Sequence, residues 1–227
     1  MRQPFRDSEF MDFNTGTVRI APMELQSALP TPLGRADRIR LFGCRVDVWQ
    51  LGVAVQLLRE IESHQPPSVW SHSAYGLISV AFSYFEMIGK TLNPNSAKSG
   101  TARKDFNFGF CDVFAEYIPS SGNYDDSSLP IVKEFRDRVR NGMYHLAYTK
   151  RNLLIHNDPN TSTKDFDTIQ QTIGDKTIQV FCVNPHSMTR TIVAHFPTFI
   201  QRLNDTDTKY DGLRQKFKEF FDDFHDA

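Results

Sequence analysis

A mainly α-helical protein is the fold class predicted for this chain: a four-helix up-and-down bundle with a small antiparallel β meander and further helices at the C-terminal end. Three features predict it. Long segments carry apolar residues at three- and four-residue intervals, the stripe of an amphipathic helix. One of them, residues 69 to 92, is apolar on most sides, as a helix enclosed by neighbours is. Between about 150 and 184 the period shortens, and β-branched residues gather in short runs separated by turn residues. The 227 residues include 19 Phe, with 40% apolar and only 23% charged side chains, a composition that excludes a disordered chain and suits one domain with its own core.

Residues 1 to 40 hold four of the twelve prolines (Pro4, Pro22, Pro30 and Pro32) without a sustained period, so an irregular N-terminal arm is expected there. The helical domain is expected over 41 to 227. Its first helix spans Cys44 to Glu62, with Val48, Leu51, Val55 and Leu58 as the stripe, and Pro66-Pro67 stops it. The second runs from Val69 to Leu92 and ends at the turn-rich NPNSAKSG. The third, Arg103 to Ile118, turns Phe110, Val113, Phe114 and Tyr117 to one face. Ser128 is the expected cap of a fourth helix with Pro130 in its first turn, Ile131, Phe135 and Val139 toward the core, and its arginines facing elsewhere.

Beyond it, NLLIHND, FDTIQQT and KTIQVFCVN read as three strands of a meander. After Asn184-Pro185, with Ser187 as expected cap, a helix resumes and is kinked or restarted by Pro197. KYDGLRQKFKEFFDDFHDA closes the chain as an amphipathic helix.

The net charge of −1 gives no global field toward nucleic acid, so a polyanion site has to come from local clustering. Lys133 to Arg151 supplies one, with six basic residues against two acidic; Asp205 to Ala227 has the reverse balance, seven acidic against four basic. Cys44, Cys111 and Cys182 are far apart among apolar neighbours, which fits neither a disulfide framework nor zinc spacing, so reduced thiols and a cytoplasmic protein are expected. No stretch approaches the ~18 uninterrupted apolar residues of a membrane span, and no signal-peptide layout is present at the N-terminus.

The basic segment contains the same phrase twice: Arg140-Asn141 reaches His145 across three residues, and Arg151-Asn152 reaches His156 across three more. The second copy lies in or beside an expected strand, where residues five apart point to opposite faces, so it is read as coincidence. The first follows a helix. Straight helical winding sets residues five apart roughly 140° from one another. Convergence therefore needs either distortion at Gly142 or a site shared between two chains. Without either, two basic residues near a helix C-terminus simply complement its dipole.

Arg140-Asn141-x-x-x-His145 after an amphipathic helix resembles the HEPN superfamily, whose signature is an Arg, four to six residues beginning with Asn, Asp or His, and a His. The resemblance covers the body from about Cys44 onward. It implies a metal-independent endoribonuclease, of a defence or toxin system, acting as a homodimer on RNA with no cofactor and with a cognate antitoxin or regulatory protein as a further partner. His145 would transfer the proton of the 2′-hydroxyl, Arg140 would hold the phosphate, and Asn141 would orient the histidine or the substrate. Arg136 and Arg138 would extend the phosphate track, Arg138 having the alternative of pairing with Asp137 or Glu134. Tyr144 is a candidate for base stacking, with packing as its alternative. Where some HEPN toxins carry a modified tyrosine two residues after the histidine, this chain has Ala147. The alternative within the resemblance is a non-catalytic module that dimerises and binds nucleotide, RNA or protein.

His64, His72, His186, His195 and His225 have no second ligand at metal spacing and are read as structural or surface residues. Glu86, in the most apolar helix, calls for a partner, expected among the arginines of the fourth helix.

Overall fold

The computed structural model describes residues 9–11, 18–20, 29, 32–63, 74–96, 100–140, 153–155, 165–173 and 175–225. Among them are six helices and a three-stranded mixed sheet, so the expectation of a mainly helical protein with a small β excursion holds. The helices are α1 (Arg35–Ser63), α2 (Ala74–Leu92), α3 (Ala102–Val113), α4 (130–140), α5 (Pro185–Asn204) and α6 (Asp211–His225). The strands are β1 (Glu9–Met11), β2 (Val18–Ile20), β3 (Leu153–Ile155), β4 (Phe166–Ile173) and β5 (Lys176–Val183).

The N-terminal region differs from the expected irregular arm. β1 and β2 pair antiparallel, Glu9 opposite Ile20 and Met11 opposite Val18. α1 begins at Arg35, nine residues before the expected Cys44: Ile39, Phe42 and Val46 already form a buried stripe at helical spacing, masked in the sequence by the arginines between them. α1 is long and apolar enough to cross a bilayer, with a mean hydropathy of 1.2 in its best window. Instead it packs Leu41, Leu51 and Phe42 into the common core. Phe42 meets Phe217 of α6 edge-on at 5.2 Å and Phe196 of α5 at 6.0 Å. The expected stop at Pro66-Pro67 lies outside the described residues.

α2 and α3 form the centre. Their backbones touch: a Cβ on Gly89 would sit 1.6 Å from the Asp105 carbonyl oxygen, and one on Gly109 would sit 1.9 Å from that of Phe85. Only glycine permits this approach. It seats Phe82 between Phe106 and Phe135, stacked at 4.9 Å on each. Asn93 then closes the α2–α3 connection by donating to the buried Asp105 carboxylate at 2.6 Å. α3 ends at Val113, and Ala115–Tyr117 follow as a single 3₁₀ turn.

The sheet corrects the antiparallel meander. Its order is β3-β5-β4, with β4 antiparallel and β3 parallel to β5. The reason is burial. Val180, Phe181, Cys182 and Val183 of β5 are consecutively buried, which only a central strand covered on both faces can be, whereas FDTIQQTI of β4 suits an edge.

Two caps also differ. Asn184, not Ser187, caps α5, its side chain accepting from the His186 and Ser187 N–H groups at 3.1 Å. Leu129, not Ser128, occupies the N-cap of α4, with no side-chain hydrogen bond and Pro130 next. α5 runs unbroken through Pro197.

Candidate functional site

α4 carries the sequence-expected site toward its motif. Val132, Phe135 and Val139 face the core, while Ile131, expected inside, is 45% exposed. After Phe135 the helix widens into an i→i+5 turn over Arg136–Arg140. Winding of this kind is rare and occurs often at functional sites.

Arg136 lies on the same face as Val132, Phe135 and Val139 and points inward. The side chain was expected to face away from the core along a phosphate track; it is instead 2% exposed. Its guanidinium donates to both carboxylate oxygens of Asp126, at 2.9 and 2.7 Å, and to Asn107 Oδ1 at 2.9 Å. Asn107 in turn donates to the Tyr124 carbonyl at 2.8 Å, so one arginine ties α4 to α3 and to the intervening loop. The Arg136 hydrogen bonds hold the Asp126 carboxyl below its ordinary range. As it stands, Arg136 is occupied by this network and has no face open to a phosphate. The burial follows from helical spacing, since Arg136 lies four residues after Val132 and three before Val139 on the buried face, and a buried charge persists only with a full set of partners.

Arg138 pairs with Glu134 one turn back, one of its two expected alternatives. Both line an open cavity of about 320 Å³ with Ile131, Thr168, Gln179 and Phe181. Lys133 and Asp137 pair at 2.9 Å. Arg140 ends the described course of α4; Asn141, Tyr144 and His145, like Arg151 and His156 of the second copy, lie outside the described residues.

A different polar cluster is brought together that sequence reading missed. Asp112 of α3 accepts from Arg202 of α5 at 2.7 and 2.5 Å. Its Oδ2 also meets Nε2 of His195, one of the histidines read as structural, at 3.1 Å. The other ring nitrogen, Nδ1, meets the buried Tyr84 hydroxyl at 2.8 Å. Burial pushes the Asp112 carboxyl up, but the hydrogen bonds and charges of Arg202 and His195 outweigh it and hold the group below its ordinary value. Burial also drives the Tyr84 phenol well above its usual range. Both imidazole nitrogens are engaged and the ring side chain is 10% exposed, so the cluster is built to join α2, α3 and α5. The available signal was His195 and Arg202 seven apart on one helix, two turns along a single face.

Among the described residues no three His, Cys, Asp or Glu side chains are grouped to hold a metal ion. The cysteines are free thiols; Cys111 and Cys182 are buried, and burial pushes the Cys111 thiol up to about 12. Glu86 is half-buried. The buried arginine of α4 takes Asp126 as its carboxylate, and Arg138 takes Glu134. Comparison with family models, with curated proteins and with solved structures finds no match.

Proposed function

We propose that the chain is an HEPN-like, metal-independent endoribonuclease that works in the cytoplasm as a homodimer. The observation that carries this is Arg140-Asn141-x-x-x-His145, with Arg140 at the last described position of a helix with a buried apolar face, within a locally basic stretch of the sequence. The helix reaches Arg140 through an i→i+5 turn over Arg136–Arg140, a winding often found at functional sites.

In this reading His145 takes the proton of the ribose 2′-hydroxyl as the 2′-oxygen attacks phosphorus. The P–O5′ bond breaks, and the departing 5′-oxygen takes a proton from His145 of the partner subunit. The products are a 2′,3′-cyclic phosphate and a free 5′-hydroxyl. Arg140 offers a permanently charged fork to the phosphate oxygens as negative charge builds on them. Asn141 orients the histidine or the strand. Arg138, on the same helix, is the remaining candidate for an extended phosphate contact. A cognate antitoxin or regulatory protein would restrain such an activity.

The test is incubation of purified protein with mixed single-stranded RNA in excess chelator. Cutting by the wild type that falls by roughly 10²–10⁴ in His145→Ala and in Arg140→Ala is the expected result. Cutting that survives His145→Ala refutes the assigned base. Binding of RNA without turnover, unchanged by either substitution, points to the non-catalytic module of the same superfamily.

A further inference from the structure

A cavity of about 380 Å³ opens between the first turn of α1 and the first half of α6, built from segments that the proposed nuclease site does not use. Arg35, Arg38, Arg214 and Lys218 stand around it, with Asp211 as its acidic lining residue. Ile39, Leu203 and Phe217 form its floor. The size falls within the ~300–1,000 Å³ usual for small-molecule sites.

The partners of the four cations matter more than their number. Arg35 donates to the main-chain carbonyls of Leu203 and Asp205, at 2.5 and 2.9 Å. Arg214 donates to the carbonyls of Asp205 and Asp207, at 2.6 and 3.0 Å, and pairs with the exposed Asp211. Carbonyls fix both guanidinium groups in place, and Arg35 has no carboxylate partner among the described residues. Arg38 pairs with Asp222 at 2.9 Å. Lys218 is exposed and has no ion pair among the described residues. Asp211 and Asp222 offset Arg214 and Arg38, which leaves Arg35 and Lys218 as the lining cations without a carboxylate partner among the described residues.

From this arrangement we infer that the cleft binds a small phosphate monoester, with the dianionic phosphoryl group against Arg35, Arg38 and the Lys218 ammonium. The carbon body of the ester lies on the apolar floor. Arg35, held by carbonyls through Nη2 alone, loses little freedom on meeting the phosphate, which favours binding. A nucleic-acid strand suits the site poorly, because a backbone track needs an extended open groove and this cavity is concave and of single-ligand size.

The probe is phenyl phosphate, with inorganic phosphate and a single-stranded RNA oligonucleotide as separate arms. Binding is read by titration calorimetry and by the shift in thermal midpoint, in buffers of matched ionic strength. The wild type is expected to bind phenyl phosphate more tightly than inorganic phosphate, and to melt at higher temperature with it. Lys218→Glu and Arg38→Gln, each with wild-type circular dichroism, are expected to weaken binding roughly tenfold or more, the loss of one charge-assisted contact. Three results overturn the inference: no binding by the wild type, binding unchanged in Lys218→Glu, or inorganic phosphate or the oligonucleotide binding as well as phenyl phosphate.

Discussion

Asp112 and Arg202, 90 residues apart in the chain, meet through two parallel hydrogen bonds of 2.7 and 2.5 Å, with His195 on the same carboxylate. The side chains are 14% and 22% exposed, so the pair is shielded from water, and Arg202 has no second carboxylate among the described residues. Asp112→Asn is expected to cost about 3 kcal/mol of unfolding free energy, since it leaves a largely buried guanidinium without its counter-charge. Tyr84→Phe removes one neutral hydrogen bond and keeps the ring packing, so about 1 kcal/mol is expected. Urea denaturation at neutral pH measures both; equal effects would mean that the ion pair contributes no more than the phenol.

The same carboxylate sets an acid limit. Asp112 and Asp126 are both held below the ordinary aspartate value of 3.8 in the folded protein. In the window between the folded and unfolded values the unfolded chain binds more protons. The stabilisation is therefore present above 3.8 and is lost as pH falls through the folded values. Stability measured from neutral pH downward should decline steeply only below about pH 4. The decline should be shallower in Asp112→Asn; an identical acid slope in the variant would contradict the assignment.

Gly89 and Gly109 should tolerate no side chain. Each Cβ would lie within 2 Å of a carbonyl oxygen on the facing helix, and main chain cannot step aside as a flexible side chain can. Gly89→Ala or Gly109→Ala is expected to cost at least about 3 kcal/mol, seen as a large fall in melting temperature or as insoluble protein. Gly212, with nothing within 4 Å of its Cβ position, is the control: Gly212→Ala should stabilise α6 by about 0.5 kcal/mol.

Arg136 and Arg138 should separate cleanly. Arg136→Ala strands Asp126 and Asn107 and is expected to cost about 3 kcal/mol or more. Arg138→Ala breaks an i,i+4 pair with the part-exposed Glu134 and should change stability by less than about 1 kcal/mol. If Arg138 meets RNA, Arg138→Ala weakens RNA binding at unchanged stability, read by salt-dependent binding of a labelled oligonucleotide. Unchanged binding removes Arg138 from the phosphate track.

What could be read from the sequence was what depends on neighbours in the chain. Amphipathic stripes located α1, α3, α4 and α6, because burial of one face repeats every three or four residues whatever lies opposite. α2 was legible as a run apolar on most sides, and α5 from the turn and cap residues before it. The β-branched runs between turn residues located β3, β4 and β5. The chemistry of the Arg140–His145 phrase, and the local basic charge around it, also belong to the sequence alone.

Tertiary structure decided which segments meet. Strand order followed from β5 being the run buried on both faces, a competition among strands that no single strand reveals. Arg136 reads as a surface cation until Asp126 and Asn107 close around it on the buried face of α4. Asp112, His195 and Arg202 look scattered until α3 and α5 pack, and Gly109 looks incidental until its backbone touches that of α2. Periodicity is a local consequence of burial. The choice of partner depends on the packing of the whole chain at once, where a charge or a bare backbone is stable only if a distant segment arrives to complete it.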